Sequence, residues 1–209
     1  ELVMLGLDRY IQWEKPFQGS MDITPMFAEK IGKGDLTVGI IGLGYVGLPL
    51  AHAFSKIYPT VGFDINSQRI TEINKGIDSN SELTNEQFKE TLNIAYSDDE
   101  NCLADCDIYI ITAPTPVDEQ NHPNLEPVKQ ATRMVASRLK KGNIVVFEST
   151  VYPGATEEEC VPLLSEISGL SFNADFFVGY SPERINPGDN QHSLTSIVKV
   201  TSGSTPEAA

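Results

Sequence analysis

Short apolar runs alternate with helical patterns along the chain from about Leu36 onward. Each run is nearly continuous rather than alternating, which is typical of strands buried on both faces of a parallel sheet. The runs are Thr37 to Ile41, Thr60 to Phe63, Ile108 to Ile111, Ile144 to Phe147 and Phe176 to Val178, with a weaker candidate at Ile94 to Tyr96.

Helix signals lie between these runs. Asn124 can cap a helix whose apolar stripe has helical spacing, namely Val128, Ala131, Val135 and Leu139. Thr156 and Glu159 have the spacing of a capping box before a second apolar stripe that Gly169 ends. Because strand and helix alternate about five times, we predict an α/β fold with a doubly wound, mostly parallel sheet.

The two ends of the chain do not join this pattern. Gly19-Ser20-Met21 resembles a cloning remnant before a natural start at Met21, and a genuine extension is the alternative. Ser204-Thr205-Pro206-Glu207 has the residues of a helix start, yet the chain stops two residues later. We therefore expect a fragment of a longer protein, with residues 1–20 unassigned and one domain at residues 21–209.

Charge and cysteine content exclude several classes. The chain has 15 Lys and Arg against 29 Asp and Glu, a net charge of −14, which disfavours nucleic acid and anionic membranes as partners. Leu36 to Ser55 is uncharged but too rich in glycine for a membrane span, and the N-terminus has no secretory signal. Three cysteines without a Cys-x-x-Cys pair, and three dispersed histidines, predict reduced thiols in a cytoplasmic protein and no metal site.

A glycine motif directly follows the first predicted strand. Gly42-Leu43-Gly44-Tyr45-Val46-Gly47 is a G-x-G-x-x-G, in which glycines allow a tight turn and a close approach of pyrophosphate to the backbone. Asp64 ends the second strand 20 positions after Gly44, where an acid binds ribose hydroxyls and disfavours a 2′-phosphate. We predict a Rossmann domain that binds NAD rather than NADP. A purely structural glycine turn is the alternative, and Arg69 lies either against the adenosine or on the plain surface.

The loops after the later strands carry further candidate groups. Thr115 lies in a proline-stiffened loop, Thr150 follows the fourth strand of the series, and Glu183 follows the fifth. The carboxyl ends of parallel strands meet at one edge of the sheet, so these loops converge on the ligand side. Structural roles for Thr115 and Thr150, and a solvated loop position for Glu183, are the alternatives. The cysteines are expected to be packing groups.

The motifs taken together resemble the UDP-glucose/GDP-mannose dehydrogenase family of nucleotide-sugar 6-dehydrogenases. The residues that carry the resemblance run from Leu36 to Pro206 and occur in order: Gly42 to Ala51, Pro114-Thr115-Pro116, Glu148-Ser149-Thr150-Val151 and Ser181-Pro182-Glu183. Ser181 to Gly188 is similar to the branch that acts on UDP-N-acetylhexosamines, including the Vi-antigen and capsule enzymes. The UDP-glucose enzymes have a second glutamate where this chain has Pro187.

This resemblance implies oxidation of a sugar C6 hydroxymethyl to a carboxylate with two NAD, for surface-polysaccharide synthesis. Gly42, Gly44, Tyr45, Val46 and Gly47 would bind the cofactor with Asp64, Arg69, Thr115 and Thr150. It further implies that Thr150 holds a water or the C6 oxygen near the nicotinamide and that Glu183 supports catalysis. Glu183, Arg184 and Asn186 would line the sugar-nucleotide side.

The resemblance also implies that the nucleophilic cysteine, its lysine and asparagine partners and most of the uridine-nucleotide site lie in a second half beyond this chain. We therefore expect the chain to bind NAD without turnover, and the complete protein to be a homodimer. Two alternatives stay open: a UDP-glucose or GDP-mannose dehydrogenase, and a nucleotide-binding regulatory module without catalysis.

Overall fold

A single, mostly parallel sheet organises the domain. The computed structural model describes residues 22–90, 93–182, 200–206 and 208–209. Within these ranges seven strands form the sheet in the order β3-β2-β1-β4-β5-β6-β7, with β1 to β6 parallel and β7 antiparallel to β6. The strands are β1 (Val38–Ile41), β2 (Thr60–Phe63), β3 (Ile94–Ser97), β4 (Ile108–Ile111), β5 (Ile144–Phe147), β6 (Phe177–Tyr180) and β7 (Ser202–Gly203).

Helices cover both faces of the sheet and connect consecutive parallel strands, except that only a 3-10 turn lies between β3 and β4. They are α1 (Thr24–Lys33), α2 (Gly47–Ser55), α3 (Ser67–Asn74), α4 (Asn85–Glu90), α5 (Glu126–Ala136) and α6 (Val161–Ser168), with a 3-10 turn at Glu100–Leu103 and a π-helical turn at Thr156–Cys160. The doubly wound α/β prediction is confirmed, and the weak sixth candidate is the edge strand β3. No helix in the described ranges is both long and apolar enough to cross a membrane.

The core has one part on each face. Val38, Ile40, Leu48 and Ile73 belong to the part under α2 and α3, whereas Tyr109, Phe147, Val135 and Leu164 belong to the part under α5 and α6. The chain therefore passes from β1 to a helix on one face of the sheet and from β4 to a helix on the other face, although these two strands are neighbours. This switch point opens a crevice at the carboxyl ends of the strands, where ligands bind in open α/β sheets.

Two helix boundaries differ from the sequence prediction. Asn124 does accept a hydrogen bond from the Glu126 amide at 2.9 Å, but α5 ends at Ala136 before the last predicted stripe position, Leu139. The Arg138 amide donates to Val135 O, and the Arg138 guanidinium donates to Met134 O at 2.9 Å, so the helix tightens and stops there.

Thr156 is not a cap. It begins a π-helical turn without a side-chain cap, and the regular helix α6 begins only at Val161. Pro162 thereby falls in the first turn of α6, where its missing amide and fixed φ are tolerated.

Candidate functional site

The crevice at the switch point is a cavity of about 840 Å³. Its walls come from the loops after β1, β2, β4 and β5, which the sequence pattern places at one edge. Seven of the predicted site residues line it, namely Gly42, Gly44, Tyr45, Val46, Asp64, Thr115 and Thr150. Gly47 lies behind the glycine loop and Arg69 lines a neighbouring cavity. Glu183, Arg184 and Asn186 lie outside the described residues.

The three glycines of the loop have three different environments. Gly42 has a φ of +98°, a left-handed conformation that favours glycine. A Cβ on Gly47 would lie 1.8 Å from Gly42 O, so only glycine allows this approach of helix to loop. A Cβ on Gly44 would meet nothing within 4 Å, which leaves the cavity side of the loop open to a ligand. At the start of α2 the Leu48 amide donates to Gly44 O at 3.1 Å and Pro49 has no N–H, so an anion there would be bound by the amides of the Gly44 to Gly47 turn, at the positive end of the helix.

Asp64 is held in place by the backbone on both sides. Its Oδ2 accepts a hydrogen bond from the Leu43 amide at 2.7 Å, and its Oδ1 accepts one from the Asn66 amide at 2.9 Å. A carboxylate has about four acceptor positions, so both oxygens keep capacity for hydroxyl donors. The geometry suits two vicinal ribose hydroxyls in the cavity.

Arg69 is buried, not a plain surface residue. It is 7% exposed, its Nε donates to Leu43 O at 3.0 Å, and its Nη1 pairs with Asp78 Oδ1 at 2.7 Å. Nη2 is buried without a protein partner. The guanidinium lines a second cavity of about 440 Å³, which shares Gly44 and Asp64 with the first. A contact with the adenosine stays a prediction.

The two threonines face the same cavity from neighbouring strands. Thr115 Oγ1 is buried and has no hydrogen-bond partner within the protein. Thr150 is exposed on the cavity wall, next to the buried Ser149, whose Oγ donates to Ala113 O at 2.7 Å and ties the two loops together. An unsatisfied buried hydroxyl is rare in native proteins, so Thr115 Oγ1 is placed as a ligand group would be.

The structure adds lining residues that we did not single out. Thr112 Oγ1 donates to Gly42 O at 2.7 Å and so braces the glycine loop from β4. One face of α5 forms a wall through Pro127, Gln130, Ala131 and Met134, which the helical spacing of these positions could have indicated. Asp98 also lines the cavity and follows β3, whose Ser97 O accepts a bond from the Asp64 amide at 3.2 Å. Because Asp98 follows the weaker strand candidate Ile94 to Tyr96, the rule that carboxyl ends of parallel strands meet at one edge could have indicated it.

The residues present fit a dinucleotide. Gly44 leaves the loop open, and the amides of the Gly44 to Gly47 turn suit a pyrophosphate. The Asp64 carboxylate suits a ribose, and the buried Thr115 hydroxyl has no hydrogen-bond partner within the protein. Within the described ranges, the lining residues of this cavity include no Lys or Arg, but they include four acids, namely Asp64, Asp98, Glu100 and Glu148. That charge pattern favours a free 2′-hydroxyl over a 2′-phosphate.

The three cysteines are not activated thiols. Burial raises the pKa of the Cys106 thiol to about 12, and it also raises the pKa values of Cys102 and Cys160 above their ordinary range. A reactive thiol needs a lowered pKa. In the described ranges no group of three or more His, Cys, Asp or Glu side chains could hold a metal ion.

Two curated proteins of the same name are similar to most of this chain. The UDP-N-acetyl-D-glucosamine 6-dehydrogenase of Pseudomonas aeruginosa is 55% identical over 175 residues, which are 84% of this chain and 42% of that protein. The Salmonella typhi protein of the same name is 52% identical over 178 residues, or 85% of this chain and 42% of its own length. The chain thus spans about two fifths of the length of these relatives.

A solved structure has the same fold. The UDP-D-ManNAc dehydrogenase from Pyrococcus horikoshii superposes with a TM-score of 0.75 at 32% sequence identity, over 83% of this chain and 42% of that one. Residues 36–209 match the family described as "UDP-glucose/GDP-mannose dehydrogenase family, NAD binding domain". The chain therefore belongs to the UDP-glucose/GDP-mannose dehydrogenase family, and residues 36–209 are its NAD-binding domain.

Proposed function

We propose that the chain is the cofactor-binding half of a UDP-N-acetylhexosamine 6-dehydrogenase. The complete enzyme would oxidise the C6 hydroxymethyl of the sugar to a carboxylate with two NAD, for surface-polysaccharide synthesis. The observation that carries the proposal is the meeting of the glycine loop and Asp64 with Thr115 and Thr150 in one cavity. A domain that only sensed a nucleotide would not need the hydroxyls of the β4 and β5 loops.

The chain's own residues bind and orient in this proposal. Bound NAD would supply the hydride acceptor. The amides of the Gly44 to Gly47 turn before α2 would donate hydrogen bonds to the pyrophosphate, and Asp64 would accept hydrogen bonds from the adenosine ribose. Thr115 would donate or accept along the cofactor, and Thr150 would hold a water or the C6 oxygen near the nicotinamide.

The sugar assignment is supported by two features. The relatives at 55% and 52% identity are named as UDP-N-acetyl-D-glucosamine enzymes. Pro187 stands where the UDP-glucose enzymes have a second glutamate, as the resemblance of the Ser181 to Gly188 segment implies. Glu183, Arg184 and Asn186 remain the proposed groups on the substrate side, with Glu183 supporting catalysis.

The chain alone is proposed to bind NAD without turning over substrate. None of its cysteines is an activated nucleophile, and the relatives extend well beyond it. We also propose a cytoplasmic location, a homodimer for the complete protein, no bound metal, and no nucleic-acid or membrane partner. The net charge of −14 supports the last of these.

Calorimetric titration of the chain with NAD, and with NADP as the comparison, tests the cofactor part. Selective binding of NAD is expected, and tighter binding of NADP would contradict the role of Asp64. The substrate part needs the complete protein, assayed by NADH absorbance with UDP-N-acetylglucosamine, UDP-N-acetylgalactosamine, UDP-glucose and GDP-mannose. An N-acetylated sugar nucleotide should give the highest kcat/KM. If UDP-glucose were preferred, the argument from Pro187 would be wrong.

A further inference from the structure

The backbone on both sides of Leu43 is held by charged side chains. Leu43 lies between the first two glycines of the loop. Its amide donates to Asp64 Oδ2 at 2.7 Å, and its carbonyl accepts from Arg69 Nε at 3.0 Å. Two peptide groups of the pyrophosphate loop are thereby oriented by one carboxylate and one guanidinium.

Arg69 is in turn fixed by Asp78, a residue of the connection between α3 and α4. Arg69 Nη1 lies 2.7 Å from Asp78 Oδ1, and the two side chains are 8% and 0% exposed. Nη1 also donates to Ser79 Oγ at 3.2 Å. The guanidinium is planar and rigid, so it can bond to Leu43 and Asp78 at the same time. The ion pair of Nη1 with Asp78 therefore also orients Nε towards the Leu43 carbonyl.

Asp78 is the anchor of this chain of contacts. Its Oδ2 accepts hydrogen bonds from the Glu82 and Leu83 amides at 2.7 and 2.9 Å, and its Oδ1 accepts one from the Asn80 amide at 3.1 Å. Burial alone would raise the pKa of the Asp78 carboxyl, but the amides and the Arg69 guanidinium outweigh it and lower the pKa. The group is an immobile anion at neutral pH.

We propose that Asp78 is a positioning residue for the cofactor site. Acting through Arg69, it holds the Leu43 carbonyl and so sets the geometry of the glycine loop that binds the pyrophosphate. Asp78 does not line either cavity, so it would act without touching NAD. The inference rests on the proposed NAD binding and adds a residue that acts indirectly on the same site.

The opposite edge of the sheet offers a matched control. Asp107 is also a buried carboxylate that pairs with a cation, Lys30, and accepts a backbone hydrogen bond, from the Thr37 amide at 3.1 Å. It precedes β4, whereas the cavity lies at the carboxyl ends of the strands. Asp107→Asn therefore removes a comparable charge and ion pair without any link to the glycine loop.

The test compares NAD dissociation constants of the chain and its variants, measured calorimetrically at a temperature where circular dichroism shows each to be folded. Asp78→Asn should weaken NAD binding about tenfold or more, the loss expected when a charge-assisted contact fails. Asp107→Asn should lower the melting temperature but leave the dissociation constant within about twofold. Hydrogen exchange of the Arg69 Nε–H, which donates to the Leu43 carbonyl, should become faster in Asp78→Asn only.

A double-mutant cycle shows whether the effect passes through Arg69. In an Arg69→Met background, Asp78→Asn should cause no further loss of NAD affinity, because its route to the loop is already absent. A further loss of similar size would overturn the proposal, as would unchanged affinity in Asp78→Asn alone. If that variant does not fold, Asp78→Glu takes its place, since it keeps the charge but displaces the carboxylate by one methylene. Absence of NAD binding by the unaltered chain would instead refute the proposed function.

Discussion

Gly47 packs directly against the carbonyl of Gly42, so closely that a Cβ on Gly47 would lie 1.8 Å from that oxygen. The third glycine of the motif thus serves helix–loop packing. The second, Gly44, has open space where its Cβ would be. The two glycines should respond differently to the same substitution.

Gly47→Ala should destabilise the domain, and Gly44→Ala should instead reduce cofactor binding. The clash at Gly47 is with backbone, so overpacking should lower the free energy of unfolding by about 1–3 kcal/mol or more. Gly44→Ala should melt at nearly the wild-type temperature but bind NAD more weakly, because the methyl occupies the face that the pyrophosphate approaches. Thermal unfolding and calorimetry check the pair. Equal effects of both variants on stability would argue against this division.

Asp64→Ala should weaken NAD binding by about 1–3 kcal/mol, since a charged hydrogen-bond acceptor for the ribose is lost. Asp105→Ala is the control, because the Asp105 side chain is 94% exposed, does not line the cavity and changes the net charge equally. Calorimetry at one salt concentration should show the loss for Asp64→Ala alone. Unchanged affinity there would reject the ribose assignment.

Thr115→Val should leave the stability of the free domain unchanged or slightly higher, because the hydroxyl that it removes is buried without a partner. NAD affinity should fall by about 0.5–1.5 kcal/mol, the contribution of one neutral hydrogen bond. Thr132→Val makes the same chemical change where Oγ1 already donates to Val128 O at 2.8 Å, outside the cavity lining. That control should lose stability and keep NAD affinity. Lower stability with unchanged NAD affinity in Thr115→Val would instead show that the Thr115 hydroxyl is structural.

The buried thiols of Cys106 and Cys160 should be unreactive in the native state, and Cys106 should make the domain sensitive to alkali. The ordinary pKa of the Cys106 thiol is 9.0 and burial raises it to about 12 in the fold. The raised pKa contributes to the free energy of unfolding. This contribution is fully present below about pH 9 and is lost as the pH rises towards 12, by about 1.4 kcal/mol per pH unit for one such group.

Urea unfolding at pH 8 and pH 10 measures this loss. The decline between the two pH values should be smaller in Cys106→Ala than in the wild type. At pH 8, a disulfide reagent should modify the half-buried Cys102 first and reach Cys106 and Cys160 only on unfolding. Rapid modification of Cys106 or Cys160 in the folded domain would contradict this order.

The sequence by itself determined the fold class, the order of the strands along the chain and the edge at which the ligand loops meet. Continuous apolar runs such as Ile108–Ile111 mark buried parallel strands, and a glycine motif followed by Asp64 has a local meaning that needs no distant partner. These features depend on residues close in sequence, where spacing and chemistry are sufficient.

Only the tertiary structure decided what each site residue touches. Arg69 proved to be a buried brace between Leu43 and Asp78, and Asp98 reached the cavity through the register of β3 against β2. The end of α5 at Ala136 and the π-helical turn at Thr156–Cys160 also differed from the sequence prediction. Long-range hydrogen bonds and burial join residues that are far apart in the chain, and a one-dimensional pattern does not encode those pairings.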